Sequence, residues 1–216
     1  MLSRRKEMKY KQIVFDVDGT LIDTEHAVLH SLQETIRTVT GNTIELRKLT
    51  FALGITGEDA LEKLNITDVP FTLALWDRNM KKYSDTVCIF AGIIELLDNL
   101  AQSGYQSGIV TSKTKVEFEH DFNRFGINKY FGTIICADDT AEHKPSPAPL
   151  LKYMRISKTN NQELLYIGDS AYDMECAKNA NIDFALAGWG AFSREIKADY
   201  CLEKPSDLLS IIIPNK

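Results

Sequence analysis

The stretch IVFDVDGTLIDT, residues 13–24, opens as an apolar run and closes in carboxylates, a glycine and hydroxyls. Ile13, Val14 and Phe15 in a row, with no polar alternation, read as a short strand buried on both faces. Ionised carboxylates next to a core are costly unless something compensates them. Asp16 and Asp18, set immediately after this strand, therefore need a partner or a task.

Four more apolar runs resemble the first: Ser107 to Val110, Thr133 to Cys136, Leu164 to Ile167 and Phe184 to Ala187. Segments of helical period lie between them, so an α/β fold with a parallel sheet and crossover helices is the economical architecture. In GIIELLDNLAQSG (92–104) the spacing predicts a helix with Ile94, Leu97, Leu100 and Ala101 on its buried face, stopped by Gly104. In KVEFEHDFNRFG (115–126) Phe118, Phe122 and Phe125 recur at helical spacing before Gly126, a core stripe rather than a cofactor box.

About 65 residues from Asp23 to Val87 carry no strand pattern. Val28, Leu32, Thr35, Ile36 and Val39, then Leu61 and Leu64, then Leu73, Trp76, Met80 and Tyr83 repeat with helical period. Such a stretch is too long for a loop and reads as a helical insert. The organisation expected is a core of residues 1–22 and 85–216 with an inserted domain over 23–84, joined by hinge strands near Leu21 to Thr24 and Ser84 to Gly92.

Composition narrows the function. The 216 residues carry a formal charge of −5, which disfavours nucleic-acid or anionic-membrane binding, since both need a clustered basic face. No run approaches the length of a membrane span, and Cys88, Cys136, Cys176 and Cys201 lack CxxC pairing, as expected for small buried residues in a reducing compartment. A cytoplasmic protein with a small-molecule partner is expected. SRRK (3–6) reads as a frayed tail, with Met8 an alternative start, and the oligomeric state is not legible.

In a parallel sheet, ligands bind beyond the carboxyl ends of the strands. There the chain places Asp16-Val17-Asp18-Gly19-Thr20, then Thr111-Ser112-Lys113, then Gly168-Asp169-Ser170-Ala171-Tyr172-Asp173, with Lys144-Pro145-Ser146-Pro147 before the last. DVDGT is not an EF-hand loop, because its glycine is fourth and a strand precedes it. GDS taken alone reads more readily as a turn capping a helix. Together, several carboxylates at one point repel and require a cation, and oxygen-only ligands favour Mg²⁺. With a lysine and a hydroxyl added, the site suits a phosphoryl group.

On these residues the chain resembles the haloacid dehalogenase superfamily, in its phosphatase branch with a helical cap after the first motif: DVDGT, IVTS, KPSP and GDSAYD match motifs one to four. The resemblance implies a Rossmann-like core, a phosphoglycolate-phosphatase-like Mg²⁺-dependent activity on a small phosphorylated metabolite, and an aspartyl-phosphate intermediate. It makes Asp16 the nucleophile and Asp18 the general acid and base, with Thr20 fixing the loop. Thr111 and Ser112 would bind phosphate, and Lys144 would pair with it. The metal would sit on Asp16, the main-chain carbonyl of Asp18 and Asp169, with Asp173 supporting from behind.

The presence of Asp18 sets the chain apart from the dehalogenases, and only Lys48 offers itself as the cap lysine of a phosphonatase. The cap loop TFALGITGEDAL (50–61) would carry specificity, with Gly54 near substrate. Residues 51–61 contain no Lys or Arg, which weakens the alternative of a β-phosphoglucomutase-like phosphosugar mutase. A non-catalytic binding module is the other alternative. Trp189, in AGWGAF (187–192), either walls the site or packs between its flanking glycines.

Overall fold

The computed structural model describes residues 9–212; the SRRK tail and Met8 lie outside them. Six parallel strands form the sheet: β1 (Gln12–Phe15), β4 (Gln106–Val110), β5 (Phe131–Ile135), β6 (Leu164–Gly168), β7 (Asp183–Ala187) and β8 (Tyr200–Leu202). Two further strands, β2 (Ile22–Asp23) and β3 (Cys88–Ile89), pair antiparallel as a separate ribbon. The spatial order β5-β4-β1-β6-β7-β8 puts β1 at the point where the chain's winding reverses. That is where a parallel sheet opens its ligand crevice.

Burial explains the unbroken apolar run of β1. Ile13 and Phe15 enter one hydrophobic cluster with Ile109, Ile167 and Leu97, while Val14 enters the cluster on the opposite face with Val110, Tyr166 and Leu150. Each such buried side chain contributes roughly 1.5–3 kcal/mol relative to exposure. Gln12, polar but buried, accepts a hydrogen bond from the Tyr153 hydroxyl at 2.8 Å.

Helices α4 (Ile93–Gln102), α5 (Lys115–Phe122), α6 (Ala148–Ser157), α7 (Ala171–Asn179) and α8 (Asp207–Ile212) complete the sheet-bearing part. In α4 the buried face is Ile93, Leu96, Leu97 and Leu100, whereas Ile94 is 48% exposed and Ala101 faces solvent. The expected face is therefore corrected by about one residue. IIELLDNLA fits two neighbouring phases, and the left-handed turn at Gly92 (φ 86°) starts the helix in the one that buries both Ile93 and Leu96. In α5 the stripe is as expected: Phe118 and Phe122 are buried, and Phe125 packs against them from a following 3-10 turn.

Between β2 and β3 lie α1 (Glu25–Thr40), α2 (Gly57–Lys63) and α3 (Val69–Met80), the last two capped by the Thr56 and Asp68 side chains. They bury a cluster of their own built on Leu32, Ile36, Leu49, Leu61 and Trp76. The Trp76 indole donates to Ser31 Oγ and the Asn79 amide to Thr35 Oγ1, both at 2.9 Å, so the buried polar groups of α1 and α3 satisfy each other. The two short strands fall in the stretches expected to hold hinges.

All four cysteines are unpaired. Cys136 and Cys176 are buried as expected, but Cys88 and Cys201 are exposed, because each sits on a short strand at the edge of its sheet. Among the described residues no helix is long and apolar enough to cross a membrane.

Candidate active site

Because β4 and β6 flank β1, the segments after these three strands converge. Asp16 leaves β1 with its N–H bonded to Ile167 O at 2.8 Å, and Thr111 leaves β4 with its N–H on Ile135 O at 3.0 Å. Asp16, Thr111, Lys144, Asp169 and Asp173 are all buried. Carboxylate oxygens of Asp16, Asp169 and Asp173 lie within 4.8 Å of one another.

Lys144 reaches this cluster from the loop ahead of α6. Its Nζ is 2.8 Å from Asp16 Oδ1 and 2.8 Å from Asp173 Oδ1. Only the second contact has hydrogen-bond alignment, which leaves Asp16 Oδ1 buried with no hydrogen-bond donor of its own. Burial works against the Lys144 charge, but Asp16 and Asp173 outweigh it and hold the ammonium above its usual range.

Asp173 is saturated. Its Oδ1 also accepts from the Tyr166 hydroxyl at 2.9 Å, and its Oδ2 accepts from Ser170 N–H at 3.1 Å and Ser170 Oγ at 2.5 Å. Ser170 Oγ in turn accepts from Asp173 N–H, closing a capping box on α7. Both readings of GDSAYD thus apply to different residues: Ser170 and Asp173 cap the helix, while Asp169 turns into the cluster and accepts from the Thr20 hydroxyl at 3.2 Å.

Asp16 and Asp169, by contrast, keep spare lone pairs. Burial, with Asp173 and Asp18 nearby, pushes the Asp16 carboxyl up to about 7 against the opposing pull of Lys144. Burial and the charges of Asp173 and Asp16 raise Asp169 well above its ordinary value. Two buried carboxyls with lone pairs left over beyond the single Lys144 ion pair are a donor set of hard oxygens that fits a divalent cation such as Mg²⁺. Asp173, its oxygens already used, is suited to hold Lys144 rather than the ion.

Gly19 lets the first loop close on this cluster. It has φ +70°, and a Cβ there would lie 2.2 Å from Asp169 Oδ2. Trp189 stands behind this loop rather than in the cluster: its indole N–H donates to Thr20 O at 2.9 Å and so braces it.

Some residues stand differently from expectation. The Ser112 hydroxyl donates to Gly54 O at 2.9 Å, so these two expected substrate-binding residues hold each other across the gap between the sheet and the helical insert. Thr111 Oγ1 accepts from Lys113 N–H at 3.2 Å. Lys113, given no role from sequence, is buried with Nζ 3.2 Å from Asp18 Oδ1 and 2.7 Å from Asp121 Oδ2. Burial opposes its charge, yet Asp18, Asp121 and Glu117 together raise its pKa. Asp121 lies eight residues on, within α5, and only the fold brings it near; Lys113 itself could have been flagged, since it follows the same strand end as Thr111.

A parallel sheet carrying buried carboxylates and a buried lysine at the carboxyl ends of its central strands is the layout of an α/β phosphatase. The model of the haloacid dehalogenase-like hydrolases matches residues 13–187, and the chain belongs to that family. A Caldanaerobacter subterraneus protein provisionally named pyrophosphatase PpaX is 30% identical over 95% of this chain and 96% of its own length. Pyrophosphatase PpaX of Bacillus thuringiensis is 28% identical over 95% and 97%. The crystal structure of a Lactobacillus plantarum protein, provisionally a phosphoglycolate phosphatase, superposes with a TM-score of 0.86 at 30% identity, covering 94% of this chain and all of that one.

Proposed function

We propose that the protein hydrolyses the phosphate ester of a small metabolite through a phospho-enzyme on Asp16, with Mg²⁺ as cofactor. The observation that carries this is the buried Asp16 Oδ1, without a hydrogen-bond donor, beside Lys144 at 2.8 Å and the metal-suited Asp169. A carboxylate so placed is poised as a nucleophile rather than as a structural acceptor.

Asp16 Oδ1 attacks phosphorus, and the bond from phosphorus to the leaving oxygen breaks as Asp18 delivers a proton to that oxygen. Water then attacks the aspartyl phosphate while Asp18 takes its proton, and inorganic phosphate departs with Asp16 regenerated. Thr111 and Lys144 bind the phosphoryl oxygens, and Asp173 keeps Lys144 aimed. When bound by Asp16, Asp169 and the Asp18 carbonyl, Mg²⁺ supplies further positive charge to the phosphoryl group.

Residues 23–84 act as a cap over a core of 1–22 and 85–216, and the Ser112 to Gly54 bond ties the cap loop to the core. Four unpaired thiols support a reducing, cytoplasmic setting. Phosphate release from a panel of esters, measured with Mg²⁺, with EDTA and with Asp16→Asn, tests the proposal. Turnover that needs Mg²⁺ and falls by on the order of 10³-fold or more in Asp16→Asn is expected; turnover that survives the substitution refutes it.

A further inference from the structure

A cavity of about 160 Å³ opens from Asp16 and Asp18 and runs between α1, α3 and the 52–57 loop on one side and α5 on the other. Its walls differ in chemistry. Val28, Leu53, Ile55, Trp76 and Met80 make an apolar wall, while Asp77 beside them on α3 and Glu117 and Asp121 on α5 bring carboxylates to the cavity.

The basic residues in this wall are Lys81, Lys113 and His120, whose Nδ1 lies 2.8 Å from Asp121 Oδ1. Lys113 is already held between Asp18 and Asp121. Lys81 is exposed, one helical turn from Asp77. Glu117 is bound to Thr114 in the capping box of α5, and the crowding of Glu117 and Asp121 adds to the effect of burial in raising Asp77. A second anionic group on the substrate would meet Asp77 and Glu117, with Asp121 engaged by Lys113 and His120, and no buried ammonium that is unshared among the described residues.

We infer that the leaving group accepted here is a neutral or cationic alcohol with an apolar body, and not a second phosphate or a carboxylate. The apolar wall supplies binding through burial, and the carboxylates repel anions, which is discrimination by an unfavourable contact. The inference rests on the phosphatase reading and deepens it. It sets this chain apart from its relatives named for pyrophosphate and phosphoglycolate, both of which carry further negative charge beyond the phosphoryl group attacked.

The test compares kcat/KM for phenyl phosphate and O-phosphoethanolamine with that for pyrophosphate and phosphoglycolate, in Mg²⁺, for the native protein and for Asp77→Lys, a change at an exposed position. Phenyl phosphate is expected to exceed both anionic substrates by about tenfold or more, and Asp77→Lys to move that ratio toward pyrophosphate by a similar factor. Pyrophosphate or phosphoglycolate turned over as well as phenyl phosphate overturns the inference, as does a ratio that Asp77→Lys leaves unmoved. Calorimetric binding of phenyl phosphate and pyrophosphate to Asp16→Asn separates the two layers. If no ester is hydrolysed, the phosphatase reading falls, and the order of the two affinities alone then sustains or overturns the assignment of the cavity.

Discussion

The ammonium of Lys113 stands 3.2 Å from Oδ1 of Asp18, and both side chains are largely withdrawn from water. In the proposed mechanism Asp18 delivers a proton to the leaving oxygen, which works only from one orientation, and Lys113, itself fixed by Asp121 at 2.7 Å, would supply it. Lys113→Met should lower kcat by about 10²-fold for an alkyl phosphate, whose alkoxide needs that proton. The loss should be much smaller for p-nitrophenyl phosphate, whose leaving group departs without one. Equal losses for both esters would reduce Lys113 to a structural residue.

Gly19 is the position where a single methyl group should silence the site. Its φ of +70° strains any L-residue, and the added carbon would sit on the Asp169 carboxylate. Gly19→Ala should displace Asp169, weaken Mg²⁺ binding and cost on the order of 10²-fold in kcat/KM, while the far-ultraviolet dichroism of the sheet and helices stays native. Unchanged Mg²⁺ affinity, read by calorimetry, would contradict this.

The raised carboxyls fix the sign of a pH effect. Burial pushes Asp16 up to about 7 in the folded, metal-free protein and raises Asp169 as well, whereas unfolded aspartates titrate at about 3.9. Between about pH 4 and 7 the folded chain therefore holds protons that the unfolded chain has lost, and the contribution of these groups to stability falls as pH rises. In the proposed site a divalent ion held by Asp16 and Asp169 would replace those protons. The Tm increment given by Mg²⁺ over EDTA should thus be larger at about pH 8 than at about pH 5.5, and Asp169→Asn should raise Tm in EDTA at the higher pH. An increment that is equal at both pH values would show that these carboxyls are not what the ion relieves.

The core strands and the carboxylates after them were legible because their signals are local. A strand covered on both faces needs three or four consecutive apolar residues, as in Ile13 to Phe15, and Asp16 after β1 and Asp169 after β6 stand directly behind such runs. Strand β8 was not legible: Tyr200 to Leu202 is three residues long with its middle cysteine exposed, and β7 rather than any pattern of its own makes it a strand. The phase of α4 failed for the opposite reason, since too many apolar residues permit two faces. The Lys113 link to Asp121 and the Ser112 link to Gly54 are tertiary facts, joining segments whose own sequences state no preference for each other. GDSAYD was ambiguous as a string because Ser170 and Asp173 answer to the helix and Asp169 to the cluster.

Ile22 pairs with Ile89 and Asp23 with Cys88, so the chain departs from the sheet-bearing part and returns to it side by side. Seen from the sheet, everything between is the tip of one very long hairpin, and the entropy of closing a loop grows only slowly with its length. Material can therefore be added, shortened or exchanged at that tip while the strands that aim Asp16, Thr111 and Asp169 keep their register. Grafting a different helical segment between Asp23 and Cys88 should redirect which alcohol is released and leave the handling of phosphorus untouched: a socket with interchangeable fittings.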